Sequence, residues 1–177
     1  GDNFVGGFLG QANPGPTAVV LQNLYSTGDV TETGARDGGP MGGFIGTLAS
    51  ATLSDCYSTG LIDSGDPASG VTGGFLGSNQ GGTVTSSYWD TETSGIATSN
   101  GGTGLTTSQM KDSSNYADWD FSTIWNIDST RNNGYPTNLS NVSTISTSTY
   151  TVTNYSTFGG NKELITGIPN GTSKTTF

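Results

Sequence analysis

Met41-Gly-Gly-Phe-Ile-Gly46 decides how this chain is read, because the same phrase precedes it as Val5-Gly-Gly-Phe-Leu-Gly10 and follows it as Thr72-Gly-Gly-Phe-Leu-Gly77. The first glycines of the pairs stand 36 and 31 residues apart. A second phrase keeps step with the first: Leu24-Tyr-Ser-Thr-Gly-Asp-Val30, Cys56-Tyr-Ser-Thr-Gly-Leu-Ile62 and Ser87-Tyr-Trp-Asp90, with tyrosines 32 and 31 residues apart. Two anchors recurring at one period mark a repeat architecture.

Between the anchors lie short β-branched, aromatic and Leu runs punctuated by Gly, Asn, Asp and Pro, with no sustained apolar spacing of three and four. Strands and turns are the reading. One such unit has too little apolar surface to fold alone, so it must stack on its neighbours. The expected fold is all-β, a short β-solenoid of about three coils spaced about 4.8 Å apart, with repeats at about 3–37, 38–70 and 71–104. Phe8, Phe44 and Phe75 are expected to form one inward column, Leu9, Ile45 and Leu76 a neighbouring one, and Leu21, Leu53 and Val84 a third. The paired glycines are expected to shape a corner, through positive φ or close backbone approach. The stretches Gln11–Pro16 and Ser64–Ser69 read as loops.

After residue 90 the pattern changes. Leu105-Thr-Thr-Ser-Gln-Met110 is expected to start a short helix with a Ser or Thr cap. Tyr116-Ala-Asp-Trp-Asp-Phe121 and Ile124-Trp-Asn-Ile127 form an aromatic cluster without repeat partners, expected to fold over the open end of the stack as a cap across 105–137. Gly134-Tyr-Pro136 closes this first domain, 1–137. Residues 138–177 read as a β-strand tail or partial second domain, with strands in Val142–Thr153 and Glu163–Pro169; so few strands rarely stand alone.

Composition excludes several function classes. The chain has 177 residues, 29 Gly, 22 Ser and 29 Thr, a net charge of −9 and a pI near 4.1. That charge does not suit a nucleic-acid or anionic-membrane partner. No His is present and Cys56 is the single cysteine, so the commonest general base, the commonest metal ligand and an internal disulfide are all missing. No stretch reaches the roughly 18 to 20 apolar residues of a membrane span. Gly1 opens without signal-peptide character, so the chain reads as a soluble, processed segment.

Each candidate site residue also has an ordinary structural reading. A polysaccharide lyase needs a strong base, and the only basic residue before Lys111 is Arg36. Asp118 and Asp120 flank Trp119 but read as solvated or capping groups rather than a catalytic pair, and no catalytic residue is assigned. Calcium requires six to eight oxygens; Asp63, Asp66, Asp90 and Glu92 are the weak candidates, without a recognised calcium-loop spacing, so no cofactor is expected. Cys56 reads as a small buried hydrophobe. Tyr25, Tyr57 and Tyr88, with Trp89, would be glycan contacts if exposed and gap-fillers if not. Asn138, Asn141, Asn154 and Asn170 are glycosylation candidates, each in an Asn-x-Ser/Thr triplet.

The two repeated phrases resemble the GLUG repeat of bacterial surface and secreted proteins, including adhesin-like chains. Ser87-Tyr-Trp-Asp-Thr-Glu-Thr-Ser-Gly95, Gly101-Gly-Thr-Gly104, Gln109-Met110 and Trp119-Asp-Phe121 are similar to the segment that ends such arrays. The resemblance spans about residues 3 to 137. It implies a right-handed parallel β-helix at the cell surface and carries no catalytic residue onto this chain. Ile165-Thr-Gly-Ile-Pro-Asn-Gly-Thr-Ser173 is loosely similar to β modules of envelope proteins. The expected function is an extracellular structural and adhesive module whose partners are envelope proteins, surface glycans or copies of itself. The alternatives are a filament subunit joined through coil edges or donated strands, and a noncatalytic carbohydrate-binding region of a large secreted enzyme.

Overall fold

The computed structural model describes residues 4–13, 15, 19–31, 38–65 and 71–139, with the backbone of strands at 157–158, 161–165 and 174–176. The chain forms two compact units, Gly1–Leu139 and Ser140–Phe177. In the second, β18 (Thr157–Phe158), β19 (Asn161–Ile165) and β20 (Lys174–Thr176) make an antiparallel sheet centred on β19. The Val142–Thr153 stretch lies outside the described residues.

The first unit is all-β apart from short helical turns. The first repeat supplies β1 (Val5–Gly6), β2 (Leu9–Ala12), β3 (Val20–Gln22), β4 (Tyr25–Ser26) and β5 (Val30–Thr31). The second supplies β6 (Met41–Gly42), β7 (Ile45–Leu48), β8 (Thr52–Ser54), β9 (Tyr57–Ser58) and β10 (Ile62–Asp63). The third supplies β11 (Thr72–Gly73), β12 (Leu76–Asn79), β13 (Thr83–Thr85) and β14 (Tyr88–Asp90). Equivalent strands pair in parallel, so β1, β6 and β11 form one sheet, and β2, β7 and β12 the next. Gln11 and Ala12 therefore belong to a strand rather than to the loop expected there.

The apolar columns follow this register. Leu9 faces Ile45 and Ile45 faces Leu76, while Leu21, Leu53 and Val84 align across β3, β8 and β13. The Phe8, Phe44 and Phe75 rings stack with centroids 5.0 Å apart at each step, the spacing that sheet hydrogen bonding imposes. Phe44 and Phe75 are fully buried, but Phe8 is 44% exposed at the free side of the first repeat.

Of the two roles expected for the paired glycines, the structure shows close backbone approach and not positive φ. Positive φ falls on Asn23, Asp55 and Ser86, which recur in register just before the tyrosine strands. Short polar side chains tolerate this left-handed conformation. The paired glycines instead permit close packing: a Cβ on Gly42 would lie 2.0 Å from the Ile45 carbonyl oxygen, and one on Gly43 would lie 2.2 Å from that of Gly74.

In β7, Thr47 is fully buried and its Oγ1 has no hydrogen-bond partner. A buried hydroxyl without a partner retains its desolvation penalty. Thr47→Val, which keeps the shape and removes the polar atom, is expected to stabilise the unit by about 1 kcal/mol in urea unfolding.

Candidate functional site

The tyrosine phrase and the segment after it form a polar and aromatic site joined by ring contacts and hydrogen bonds. Tyr25, Tyr57 and Tyr88 occupy one register across β4, β9 and β14. Successive strand residues leave opposite faces of a sheet, so Trp89 enters the repeat interior with Phe44 and Phe75 while Tyr88 joins a separate aromatic cluster. Trp89 takes the register position of Ser26 and Ser58, against Gly74, and its Nε1 donates to the Ile96 carbonyl at 2.9 Å.

This row is not displayed to solvent. Tyr57 is wholly buried, Tyr88 and Trp89 nearly so, and Tyr25 half-buried. The glycan-contact assignment therefore gives way to a packing role at Tyr57, Tyr88 and Trp89, whose rings are enclosed, while the half-buried Tyr25 stacks on Tyr57 through one face. The cover comes from the aromatic segment, which runs along the flank of the stack rather than over its end. Trp125 meets Tyr25 at 6.3 Å and Tyr57 at 6.1 Å, Trp119 stacks on Trp125 at 4.3 Å, and Tyr116 stands edge-on to Tyr88 at 5.0 Å. One segment thus spans all three repeats.

Hydrogen bonds fix this cover. Tyr57 donates its hydroxyl to the Pro136 carbonyl at 2.5 Å and accepts from Asn132 Nδ2 at 2.7 Å. The Ala117 N–H donates to the Tyr88 hydroxyl, and Trp119 Nε1 donates to the Ser86 carbonyl at 2.6 Å. Two short helices, α1 (Thr91–Ser94) and α2 (Thr107–Met110), flank β15 (Thr103–Leu105), which pairs with β14. α2 starts with the expected threonine cap: Thr106 and Gln109 form a reciprocal capping box. Beyond it, β16 (Trp125–Asn126) and β17 (Thr137–Asn138) close an antiparallel ribbon.

Asp90 ties these pieces together. Its carboxylate is fully buried; Oδ1 accepts from the Glu92 and Thr93 N–H groups at 2.9 and 3.0 Å, capping α1. Oδ2 accepts from Thr107 Oγ1 at 2.8 Å and from the Tyr135 hydroxyl at 2.7 Å. Lys111 Nζ lies 4.8 Å from the centre of the Tyr135 ring. The cue in the sequence is an Asp directly before Thr-Glu-Thr-Ser, a helix-cap pattern.

The remaining candidates hold local structure. Glu92 accepts from the Thr107 N–H at 2.8 Å, and Asp63 from the Gly65 N–H at 3.0 Å. Asp66 lies outside the described residues, among which no three His, Cys, Asp or Glu side chains converge as a metal site. Asp120 accepts from Ser122 N and Oγ, from Thr123 N and from Thr123 Oγ1. Bonds from Ser122 and then Thr123 hold its carboxyl far below the usual range, which disfavours the protonated form that a general acid requires. Asp118 accepts from Ser86 Oγ at 3.4 Å. Cys56 is buried beneath Ser87, and burial pushes its thiol up to about 12, so it is not a poised nucleophile. Asn138 is half-buried in β17; Asn141, Asn154 and Asn170 lie outside the described residues.

Burial also raises the Tyr57 and Tyr116 hydroxyls far above their ordinary value, and burial followed by Asp90 raises Tyr135 to about 12. The unfolded chain ionises its tyrosines near pH 10, whereas the folded chain keeps these protonated. Stability is therefore full below about pH 10 and falls as pH rises towards 12. In a spectrophotometric titration, ionisation of these tyrosines is expected to coincide with loss of the near-ultraviolet circular dichroism. Ionisation with that signal intact would contradict the assignment.

No family model and no solved structure match this chain. It is 38% identical over 117 residues to a protein of Evansella cellulosilytica that carries the name Gly-rich membrane protein, a match covering 62% of this chain and 13% of that protein. It is 32% identical over 97 residues to halomucin of Haloquadratum walsbyi, covering 54% of this chain and 1% of halomucin. The chain thus matches only a small part of each relative. Among the described residues no helix is long and apolar enough to cross a membrane.

Proposed function

We propose that residues 1–139 are a structural and adhesive module of a cell-surface protein, a right-handed parallel β-solenoid that extends and displays and carries out no catalysis. The observation that carries this reading is the continuous in-register stack: three repeats joined by parallel strands and a phenylalanine column, with one aromatic segment bracing all three along the flank. Such a stack is a quasi-one-dimensional scaffold, suited to spanning distance. The names of the two relatives, Gly-rich membrane protein and halomucin, support an envelope location. Asp90, Tyr57 and Asp120 are each engaged in hydrogen bonds within the fold.

The test is location and binding. Protease shaving of intact source cells is expected to release peptides of this unit, and the purified chain is expected to bind those cells' envelope fraction without altering its polysaccharides. Recovery in the cytosolic fraction alone, or release of new sugar ends, would overturn the reading.

A further inference from the structure

One phenol of the buried aromatic cluster is bonded to a base. Among the described residues, Tyr135 is the tyrosine whose hydroxyl donates to a carboxylate, Asp90 Oδ2 at 2.7 Å, and both groups are buried. The other buried hydroxyls of the cluster meet neutral groups: Tyr57 donates to the Pro136 carbonyl, Tyr116 donates to the Met110 carbonyl at 2.6 Å, and Tyr88 accepts from the Ala117 N–H. A carbonyl does not take up a proton at neutral pH, whereas an ionised carboxylate within hydrogen-bond reach does.

The same phenol is joined to two indoles by ring contacts. Tyr135 stacks on Tyr57 with centroids 6.5 Å apart, Tyr57 lies 6.1 Å from both Trp119 and Trp125, and these two stack on each other at 4.3 Å. Neither indole has a base for its own proton: Trp119 Nε1 donates to the Ser86 carbonyl, and the buried Trp125 Nε1 has no partner. An indole here that loses an electron therefore keeps its proton, and the positive charge stays free to move between rings. The buried Asp90 carboxylate attracts that charge. Lys111 Nζ, 4.8 Å from the centre of the Tyr135 ring, disfavours a cation on the ring itself. Both constraints are met when Tyr135 gives up its proton together with its electron.

We propose that Tyr135 is a redox-active residue, the end of a relay that carries a one-electron oxidation of Trp119 or Trp125 through Tyr57 to a phenol whose proton passes to Asp90. In the step, an oxidant removes one electron from an indole; an electron moves from Tyr135 to that indole while the Tyr135 O–H bond breaks and an O–H bond forms on Asp90 Oδ2. The indole is restored, and a neutral phenoxyl radical stands beside a protonated carboxyl. A one-electron reductant of the ascorbate class then returns the electron, and Asp90 returns the proton. The relay removes oxidising equivalents from the tryptophans that brace the repeats. It goes beyond the structural-module reading and does not depend on it.

The test uses the whole chain, a laser flash at a wavelength that tryptophan absorbs and tyrosine does not, and a cobalt(III) ammine as acceptor of the ejected electron. Indolyl absorption is expected to convert into tyrosyl absorption at a rate independent of protein concentration and slower in heavy water. Tyr135→Phe, which keeps the ring, and Asp90→Asn, which keeps an acceptor for α1 but offers no base, are each expected to abolish the conversion. Tyr116→Phe is expected to leave it unchanged. Conversion that persists in Tyr135→Phe, or is lost in Tyr116→Phe, would place the radical on another phenol and overturn the proposal. A rate that rises with protein concentration would make the transfer intermolecular and overturn it too. Electron paramagnetic resonance of the freeze-trapped radical in the unsubstituted chain decides the proton's place without any variant having to fold. A tyrosyl signal coupled to an exchangeable proton is expected, and a tyrosyl signal without that coupling would overturn the assignment of Asp90 as the base.

Discussion

Replacing Asp90 with alanine is expected to destabilise the first unit by about 2–4 kcal/mol, from the loss of a helix cap together with orphaned hydroxyl donors. The carboxylate is fully buried and receives four hydrogen bonds from Glu92, Thr93, Thr107 and Tyr135. Alanine leaves the buried Tyr135 hydroxyl and the part-buried Thr107 hydroxyl without this acceptor, at about 1–3 kcal/mol for a buried orphan, and uncaps the exposed Glu92 and Thr93 N–H groups at the start of α1. Asp90→Asn is the informative companion. Its amide oxygen can still cap α1, and the Thr107 and Tyr135 hydroxyls can turn to accept from its NH2, so its loss is expected to be about half that of alanine. Urea unfolding read by tryptophan fluorescence measures both, since Trp119 and Trp125 lie in the cluster that Asp90 anchors through Tyr135. A loss below about 1 kcal/mol for alanine would remove Asp90 from this role.

The second large effect is Phe44→Ala, expected to cost about 3–5 kcal/mol, the range for emptying a buried aromatic site. Phe44 is enclosed between Phe8 and Phe75, and the backbone around it cannot collapse without breaking the parallel ladders on both sides. The same substitution at Phe8 is expected to cost less than about 1.5 kcal/mol, because a ring already 44% exposed forfeits only part of its burial and leaves an open notch rather than a closed void. Identical residues in identical phrases thus separate by position in the stack. Equal losses at Phe8 and Phe44, with unchanged denaturant slopes, would mean that Phe8 is covered in solution.

Much of the repeat architecture was legible because a period-two strand pattern carrying two anchors leaves little freedom in register: Phe44 can face only its counterparts, and Leu53 only Leu21 and Val84. The corners were less legible. The glycine pairs are compatible with positive φ or close backbone approach alike, and the positive φ values fall on Asn23, Asp55 and Ser86, whose recurrence is disguised by three different side chains. The tyrosines were placed in register but not on a face, since alternation within β14 sends Trp89 inward and Tyr88 to the flank, and only the cover beyond residue 105 shows that the flank is buried. Asp90 read as a weak calcium candidate because nothing nearby in the chain reveals Tyr135, 45 positions away, as its donor.

The sequence by itself determined the repeat length, the parallel register, the apolar columns and the threonine cap at α2, all consequences of local periodicity and short-range hydrogen bonding. Only the tertiary structure decided that the aromatic segment braces the flank instead of covering an end, and that Asp90 is an interior tie. Those outcomes depend on contacts between residues far apart in the chain, where packing and desolvation select among arrangements that local pattern leaves equal.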